Sequence, residues 1–225
     1  MNFFLIGRKS LKNIVIFDFD GVIVESAPYF IKRYRKLATT YNKKFDVKNM
    51  EEFRDWYDSK WENNYFTMGF TKEELENAIF KTRANVDYYD IPHYQGIEKV
   101  FEILSKKYIL TLASCTCYSE LEKKLKEIDS LKYISYISPG DGHGSDKKEI
   151  IGDVIKHFNI SPQNAIMVGD TEMDIKSALA NGIKGIGTAY GWQNYKKLEK
   201  AGAISIAFKP EDIIDLVEKY FESVQ

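Results

Sequence analysis

Five short apolar runs recur along the chain and are the first sign of a β-sheet. They cover residues 14–17, 109–113, 165–168, 183–187 and 204–207, and the last two are the weaker ones. Unbroken runs of this length, with β-branched residues among them, are typical of strands that are buried on both faces. The pattern therefore predicts a parallel sheet with both faces covered.

Helical periodicity occupies the segments between these runs, where apolar residues recur every three or four positions. The predicted helices cover residues 97–107, 118–128, 148–158, 174–181 and 211–221, and Ser161 with Pro162 is a further, short helix start. Strands that alternate with helices of this length indicate an α/β protein. We predict a Rossmann-like, doubly wound parallel sheet as its core.

Residues 27–90 break this alternation, because helix follows helix without a strand between them. The predicted helices cover residues 28–41, 50–64 and 71 to about 86. The last one begins with a capping box formed by Thr71 and Glu74. We therefore predict a small inserted α-helical cap domain at residues 27–90, and a core domain made of residues 1–26 and 91–225.

Composition and charge narrow the class of protein. The chain has 225 residues, 44% of them hydrophobic, which is enough for a substantial core. Its 32 Lys and Arg residues balance 33 Asp and Glu residues, so no overall field attracts nucleic acid or an anionic membrane. No segment approaches the ~20 apolar residues of a membrane span. We expect no nucleic-acid or membrane partner, and a monomer or homodimer.

The two cysteines, Cys115 and Cys117, are separated by a single residue. This spacing fits neither an ordinary disulfide framework nor the usual zinc sites. Two free thiols are typical of a reducing compartment, so we expect a cytoplasmic protein.

Candidate chemistry lies where three of the predicted strands end, at Asp18, Ser114 and Asp170. In open parallel sheets ligands bind beyond the carboxyl ends of the strands, so these side chains are expected to meet. Asp20 can face the same side as Asp18 if the chain stays extended, and Gly21 then allows a sharp exit. Single aspartates that merely cap strand ends are the plain alternative.

A cluster of carboxylates such as Asp18, Asp20 and Asp170 predicts a bound cation. Without one, the negative charges would repel each other. Oxygen ligands of this kind suit Mg²⁺, which can in turn bind the oxygens of a phosphate. We therefore predict Mg²⁺ as the cofactor and a phosphorylated substrate.

Four segments resemble, in order, the four motifs of the haloacid dehalogenase-like hydrolase superfamily. They are IFDFDGVI, ASCT, the lysine of GSDKKEII, and GDTEMD. The resemblance extends from about Asn13 to Phe208; its first and fourth motifs are highly specific, whereas the second and third are weak alone. The inserted helices match the position of the helical cap that many relatives carry between the first and second motifs.

The resemblance implies a role for the residues of the first two motifs. Asp18 corresponds to the nucleophile that becomes phosphorylated. Asp20 corresponds to the general acid and base, and its backbone carbonyl to a Mg²⁺ ligand. The Ser114 hydroxyl and the backbone N–H of Cys115 correspond to groups that bind the transferring phosphoryl group.

The third and fourth motifs supply the remaining roles implied by the resemblance. The motif lysine, which binds phosphate and offsets negative charge, is assigned to Lys147, with Lys148 as the alternative. Asp170 corresponds to a Mg²⁺ ligand, and Asp174 to a residue that supports the metal through water or the lysine. Gly169, like Gly21, is expected to support the site.

The function implied is a Mg²⁺-dependent phosphatase that hydrolyses a small phosphorylated metabolite through an aspartyl-phosphate. Dehalogenases of the superfamily lack the second aspartate, so Asp20 favours phosphoryl transfer over carbon–halogen cleavage. The segment GVIVESAP is similar to that of phosphoglycolate phosphatases and β-phosphoglucomutases. A phosphomutase stays open because the same motifs serve both reactions, and a catalytically silent binding protein is the second alternative.

Other polar and aromatic residues are expected to have structural or no specific roles. Cys115 stands where many relatives have Asn, and Glu25 where many have Asp. The aromatic residues of the cap are expected to form its core. The cap arginines, which are Arg33, Arg54 and Arg83, could reach a substrate anion, but each is expected to be a solvated helix charge.

Overall fold

The computed structural model describes residues 13–76, 88, 90–141 and 145–224. Within these residues six parallel strands form one sheet in the order β3-β2-β1-β4-β5-β6. The strands are β1 (Ile14–Phe17), β2 (Ile109–Ser114), β3 (Ile134–Pro139), β4 (Ala165–Gly169), β5 (Lys184–Thr188) and β6 (Ser205–Ala207). The predicted α/β, doubly wound parallel sheet is confirmed, with β1 between β2 and β4.

Helices cover both faces of the sheet, and further helices form the cap. In chain order they are α1 (Ala27–Thr40), α2 (Met50–Trp56), α3 (Trp61–Thr67), α4 (Lys72–Glu74), α5 (Ile97–Leu104), α6 (Tyr118–Glu127), α7 (Lys147–Phe158), α8 (Glu172–Ala180), α9 (Tyr195–Ala201) and α10 (Asp212–Ser223). In the described part of the chain, two short 3-10 turns lie at Leu131–Tyr133 and Pro162–Asn164. None of the helices in the described ranges is both long and apolar enough to span a bilayer.

Strand β1 shows why its sequence is apolar without a break. Val15 and Phe17 point into a cluster that α5 and α10 cover. Ile14 and Ile16 point the other way, into a cluster that includes residues of α7 and α8. Since successive side chains of a strand point to opposite faces, a strand covered on both faces needs apolar residues at every position.

The cap has a core of its own, rich in aromatic residues. Tyr34, Phe53 and Tyr65 are buried there, as the sequence predicts. Residues 77–87 of the predicted cap lie outside the described residues, and so does Arg83. The domain boundaries at residues 26/27 and 90/91 stay predictions. Trp192, which belongs to the loop after β5, is also part of the cap's buried cluster.

The structure differs from the predicted secondary structure in three places. The single helix predicted over residues 50–64 is two helices, α2 and α3, because the chain turns extended at Tyr57 and Asp58 accepts a hydrogen bond from the backbone N–H of Lys60. Strand β3 was not predicted, since it lies at the sheet edge and is only partly buried. Helix α9, seven residues long, was also not predicted.

The capping box of Thr71 and Glu74 is confirmed at the start of α4. The rest of the helix predicted after it, from residue 77, lies outside the described residues. Residue 182, at the predicted end of α8, is a glycine with a φ of 75°. This left-handed backbone, which favours glycine, ends the helix as the sequence indicates.

Candidate active site

A cavity of about 770 Å³ opens at the carboxyl edge of the sheet, between the core and the cap. Asp18 follows β1, Ser114 ends β2 and Asp170 follows β4, and all three side chains line the cavity. Asp20 and Lys147 line it as well. The structure therefore brings together the residues that the sequence predicts, because the three central strands end at the same edge.

Asp18 is held at the end of β1 by backbone and side-chain contacts. Its N–H donates to the carbonyl of Val168 at 2.9 Å, which continues the pairing of β1 with β4. Its Oδ1 accepts the backbone N–H of Phe19 at 2.7 Å and lies 2.7 Å from Nζ of Lys147. The carboxylate is thus fixed in orientation and paired with a cation.

Lys147 lies at the start of α7, where Asp146 caps the helix by accepting the N–H of Lys148 at 2.8 Å. The Lys147 side chain is only 2% exposed, and its Nζ lies 2.7 Å from Asp18 and 3.0 Å from Asp174. Burial works against the ammonium form, but the two carboxylates raise the pKa of Lys147 above its ordinary value. Lys147 is therefore charged at the centre of the site, whereas Lys148 is exposed.

Asp170 and Asp174 complete a buried group of carboxylates. Asp170 Oδ2 accepts the backbone N–H of Trp192 at 2.7 Å. Asp174 caps α8 from within, because its Oδ2 accepts the N–H of Thr171 at 3.0 Å and its hydroxyl at 2.7 Å. Asp18, Asp170 and Asp174 each place an oxygen within 4.8 Å of the others.

The pKa values of Asp18 and Asp170 are both raised, chiefly because the two carboxyl groups are buried. Burial raises the pKa of Asp18 to about 8, although Lys147 opposes the shift. Burial, together with the charges of Asp174 and Asp18, raises the pKa of Asp170 well above its ordinary value. Each shift means that an additional cation near these oxygens would favour the ionised form.

The donor set fits a hard divalent cation. Its ligand atoms are carboxylate oxygens, as Mg²⁺ prefers. Among the described residues, the polar contacts of Asp18 fall on Oδ1 and those of Asp170 on Oδ2, so each carboxylate has a second oxygen left for a ligand. The buried group contains Asp174 rather than the Asp20 carboxylate that the sequence suggested, while the metal role of the Asp20 backbone carbonyl stays a prediction.

The Asp20 carboxylate turns to two hydroxyl groups instead. Its Oδ2 accepts a hydrogen bond from Tyr88 Oη at 2.9 Å and one from Thr116 Oγ1 at 3.0 Å. Burial raises the pKa of Asp20, and nearby hydroxyl groups oppose the shift. Neither Tyr88 nor Thr116 was singled out from the sequence; only Thr116 carries a signal, since it lies two residues after Ser114.

Ser114 lies at the end of β2 with its hydroxyl already oriented. Its Oγ accepts the backbone N–H of Thr116 at 3.1 Å, which leaves the hydroxyl proton for another acceptor. Cys115 directs its Sγ to the carbonyl of Ser145, 3.6 Å away. The binding of phosphate by Ser114 and by the N–H of Cys115 stays a prediction.

Two glycines allow the close packing of the acidic residues. Gly21 has a φ of 74°, and a Cβ there would lie 1.8 Å from Oδ2 of Asp170. A Cβ at Gly169 would lie 2.3 Å from Cβ of Asp174. Any side chain at either position would push a site carboxylate away, so both glycines support the site by leaving space.

The cap also contributes to the lining of the cavity and is hydrogen-bonded to the core. Tyr57 and Tyr65 belong to the cap core and line the cavity at the same time. The prediction that Arg54 is a solvated charge is wrong, because its guanidinium donates to the carbonyls of Gly191 at 2.9 Å and Tyr190 at 2.7 Å. Arg54 thus joins the cap to the loop that also holds Asp170.

Known proteins that are similar to this chain point to one family. The model of the haloacid dehalogenase-like hydrolases matches residues 15–188. A phosphorylated carbohydrates phosphatase of Thermotoga maritima is 26% identical over 212 residues, which cover 91% of this chain and 98% of that protein. A phosphoglycolate phosphatase of Aquifex aeolicus is 25% identical over 228 residues, covering 92% and 97%.

The fold is similar to that of solved structures. A haloacid dehalogenase-like hydrolase from Streptococcus pneumoniae superposes with a TM-score of 0.76 at 19% identity. The match covers 91% of this chain and 98% of that one.

Proposed function

Because the chain belongs to the haloacid dehalogenase-like hydrolase family, we propose that it is a Mg²⁺-dependent phosphatase that forms an aspartyl-phosphate on Asp18. The observation that carries the proposal is the Lys147 ammonium, buried between Asp18 and Asp174 beside Asp170. A carboxylate is a weak nucleophile, so phosphoryl transfer depends on positioning and on neutralising charge. This group of residues supplies both.

In the first step, an oxygen of Asp18 attacks phosphorus and the bond from phosphorus to the leaving oxygen breaks. The Lys147 ammonium offsets the negative charge of Asp18 and of the transferring group. The Ser114 hydroxyl and the N–H of Cys115 hold the phosphoryl oxygens. Asp18, Asp170 and the backbone carbonyl of Asp20, with Asp174 in support, would hold a Mg²⁺ ion, which would supply further neutralisation of phosphoryl charge.

Asp20 handles the protons of both steps. It gives a proton to the leaving oxygen, and the electron pair of the broken bond goes to that oxygen. It then takes a proton from the water that attacks the phosphorus of the aspartyl-phosphate. Inorganic phosphate leaves, the Asp18 carboxylate is restored, and Asp20 is protonated again.

The substrate is a small phosphorylated metabolite. The names of the two relatives refer to phosphorylated carbohydrates and to phosphoglycolate, both of which are small and polar. A cavity of about 770 Å³ lies within the range of ~300–1,000 Å³ that is usual for sites binding small molecules. Side chains of the cap line part of this cavity, so the cap is expected to select the leaving group.

Hydrolysis is favoured over a phosphomutase reaction, since both curated relatives are named phosphatases. The two reactions differ in the fate of the phosphoryl group. A phosphatase releases inorganic phosphate from a hexose phosphate, whereas a phosphomutase returns an isomer of the same hexose phosphate. Measuring both products from one incubation distinguishes them.

The proposal is tested with a panel of phosphorylated metabolites, assayed with Mg²⁺ and with a chelator. We expect phosphate release that requires Mg²⁺ and that is lost in Asp18→Asn, with unchanged circular dichroism. Asp215→Asn, which changes an exposed aspartate of α10, is the matched control and should keep full activity. Near-normal turnover in Asp18→Asn, or no hydrolysis of any ester by the wild type, would contradict the proposal.

A further inference from the structure

The two oxygens of the Asp20 carboxylate have different surroundings. Oδ2 accepts hydrogen bonds from Tyr88 Oη at 2.9 Å and from Thr116 Oγ1 at 3.0 Å. Oδ1 is buried and accepts no hydrogen bond of normal geometry among the described residues, although the Ser26 hydroxyl also interacts with the carboxylate and lowers its pKa. Buried polar atoms are nearly always paired, so an unpaired carboxylate oxygen beside a cavity calls for a functional explanation.

The hydroxyl protons of Tyr88 and Thr116 limit the hydrogen bonds that these two groups can donate at the same time. Each hydroxyl carries one proton. If Tyr88 and Thr116 both donate to Oδ2, neither has a proton left for the 3.1 Å contact between their own oxygens. With both hydroxyls donating to Oδ2, that oxygen is held by the fold, and Oδ1 is the oxygen left to exchange a proton with a ligand in the cavity.

We propose that Tyr88 and Thr116 are positioning residues, which hold Oδ2 of Asp20 and so reserve Oδ1 for exchanging the proton with the leaving group. The inference rests on the proposed phosphatase function and adds to it. In this step the proton on Oδ1 moves to the leaving oxygen as its bond to phosphorus breaks. Asp20 is left as a carboxylate that both hydroxyls stabilise.

Both positioning residues are themselves fixed by the fold. The Tyr88 ring is buried in the core cluster and packs edge-on against Phe19, with 5.3 Å between the ring centroids. The backbone N–H of Thr116 donates to Oγ of Ser114 at 3.1 Å. Thr116 therefore connects the proton-transfer group Asp20 with the serine that we assign to the phosphoryl group, and sets both orientations at once.

The test compares two kinds of ester, because acid catalysis matters most when the leaving group is poor. One probe is p-nitrophenyl phosphate, whose leaving group departs without a proton. The other is an alkyl phosphate, namely whichever of glucose 6-phosphate, glycerol 3-phosphate and 2-phosphoglycolate the wild type hydrolyses fastest. The quantity is kcat/KM, which covers the steps up to departure of the leaving group and excludes dephosphorylation.

We expect Thr116→Val and Tyr88→Phe to lower kcat/KM for the alkyl ester about 10-fold to 100-fold, a part of the ~10²–10⁴ that general acid catalysis contributes. The value for the aryl ester should fall less than about 3-fold, since it needs no proton. Thr116→Ser, which keeps the hydroxyl, should restore the alkyl activity. Tyr220→Phe is the matched control and should change neither value. It removes a tyrosine hydroxyl that donates to the backbone carbonyl of Gln163, far from Tyr88 and Thr116 in the sequence.

The outcomes separate the inference from the proposed function. Equal losses on both esters mean a general structural role and overturn the inference, as does the absence of any loss. A wild type that hydrolyses neither ester overturns the proposed function and the inference with it. Thermal unfolding of each variant identifies those that fail to fold. If Tyr88→Phe fails to fold, the comparison of Thr116→Ser with Thr116→Val decides the question. If Thr116→Val fails to fold, Tyr88→Phe decides it.

Discussion

Lys147 is the residue on which the charge balance of the site depends. Its ammonium lies between the carboxylates of Asp18 and Asp174, and Asp170 is close by. Taking one partner out of a buried group of charges leaves the others uncompensated, which is usually more costly than losing a surface ion pair. The neighbouring Lys148 is exposed, so its removal would leave no buried charge uncompensated.

We predict that Lys147→Met lowers kcat at least about 100-fold, because an electrostatic contact to the transferring group is lost. It should also lower the free energy of unfolding by about 3 kcal/mol in the absence of Mg²⁺. Lys148→Met is the matched control and should change neither quantity much. Steady-state kinetics and urea unfolding measure both. A large effect of Lys148→Met with little effect of Lys147→Met would reverse the assignment.

Site residues at the ends of strands can be identified from the sequence, whereas site residues that come from distant segments cannot. Asp18, Ser114 and Asp170 could be predicted because parallel strands end at one edge. The sequence alone left Lys147 and Lys148 both open, since either could begin the helix. Tyr88 reaches Asp20 across 68 positions of the chain, and no local pattern indicates such a contact.

Helix α2 and the segment after β5 form a junction between the cap and the core. The ammonium of Lys197 donates to the carbonyls of Arg54, Asp55 and Tyr57, at 3.1, 2.5 and 2.9 Å. These carbonyls lie at the C-terminal end of α2, where a positive charge is favourable. Trp192 enters the cap core beside them, with its ring 4.7 Å from that of Tyr57.

We predict that Lys197→Met loosens α2 from the core while the sheet stays intact. Hydrogen exchange of the amides of residues 50–57 should become faster, because three carbonyls lose their cationic partner. Lys196→Met, which changes the exposed neighbouring lysine, should leave these amides unchanged. Unaltered exchange in Lys197→Met would mean that the other contacts of the junction, those of Arg54, Gln193 and Trp192, are sufficient to hold it.

Elements were predictable where the hydrophobic pattern was continuous. Strands β1 and β4 are buried at every position, and both were predicted. Strand β3 is exposed at two of its six positions and buried at only one, and its apolar residues form no unbroken run. The break between α2 and α3 depends on local hydrogen bonds of Asp58, including its N–H to Oδ1 of Asn64 at 2.8 Å, which periodicity does not reveal.

In the whole molecule, the proposed cation site and the cap meet at Trp192. Its backbone N–H donates to Asp170, while its indole N–H donates to Oγ of Ser26 at 3.1 Å and its ring lies in the cap cluster. A cation bound at Asp170 therefore lies next to a residue that holds the cap. Binding of a ligand to the folded state alone stabilises that state by mass action.

We predict that Mg²⁺ raises the Tm of the wild type in a concentration-dependent manner, since it offsets the repulsion among Asp18, Asp170 and Asp174. Asp170→Asn should lose most of this dependence, because it removes a carboxylate that would bind the cation. Asp215→Asn should behave like the wild type. Differential scanning calorimetry over a Mg²⁺ series measures the effect, and an equal response of Asp170→Asn would place the cation elsewhere.

The covalent intermediate on Asp18 is the central claim, and Asp20→Asn offers the most direct measurement of it. With p-nitrophenyl phosphate the first step needs no acid, whereas dephosphorylation still needs Asp20 as the base. The intermediate should therefore accumulate, and peptide mass spectrometry after rapid acid quench should find phosphate on the peptide that contains Asp18. The same experiment on the double variant Asp18→Asn, Asp20→Asn should find none. Rapid nitrophenol release by Asp20→Asn without phosphate on that peptide would contradict the account.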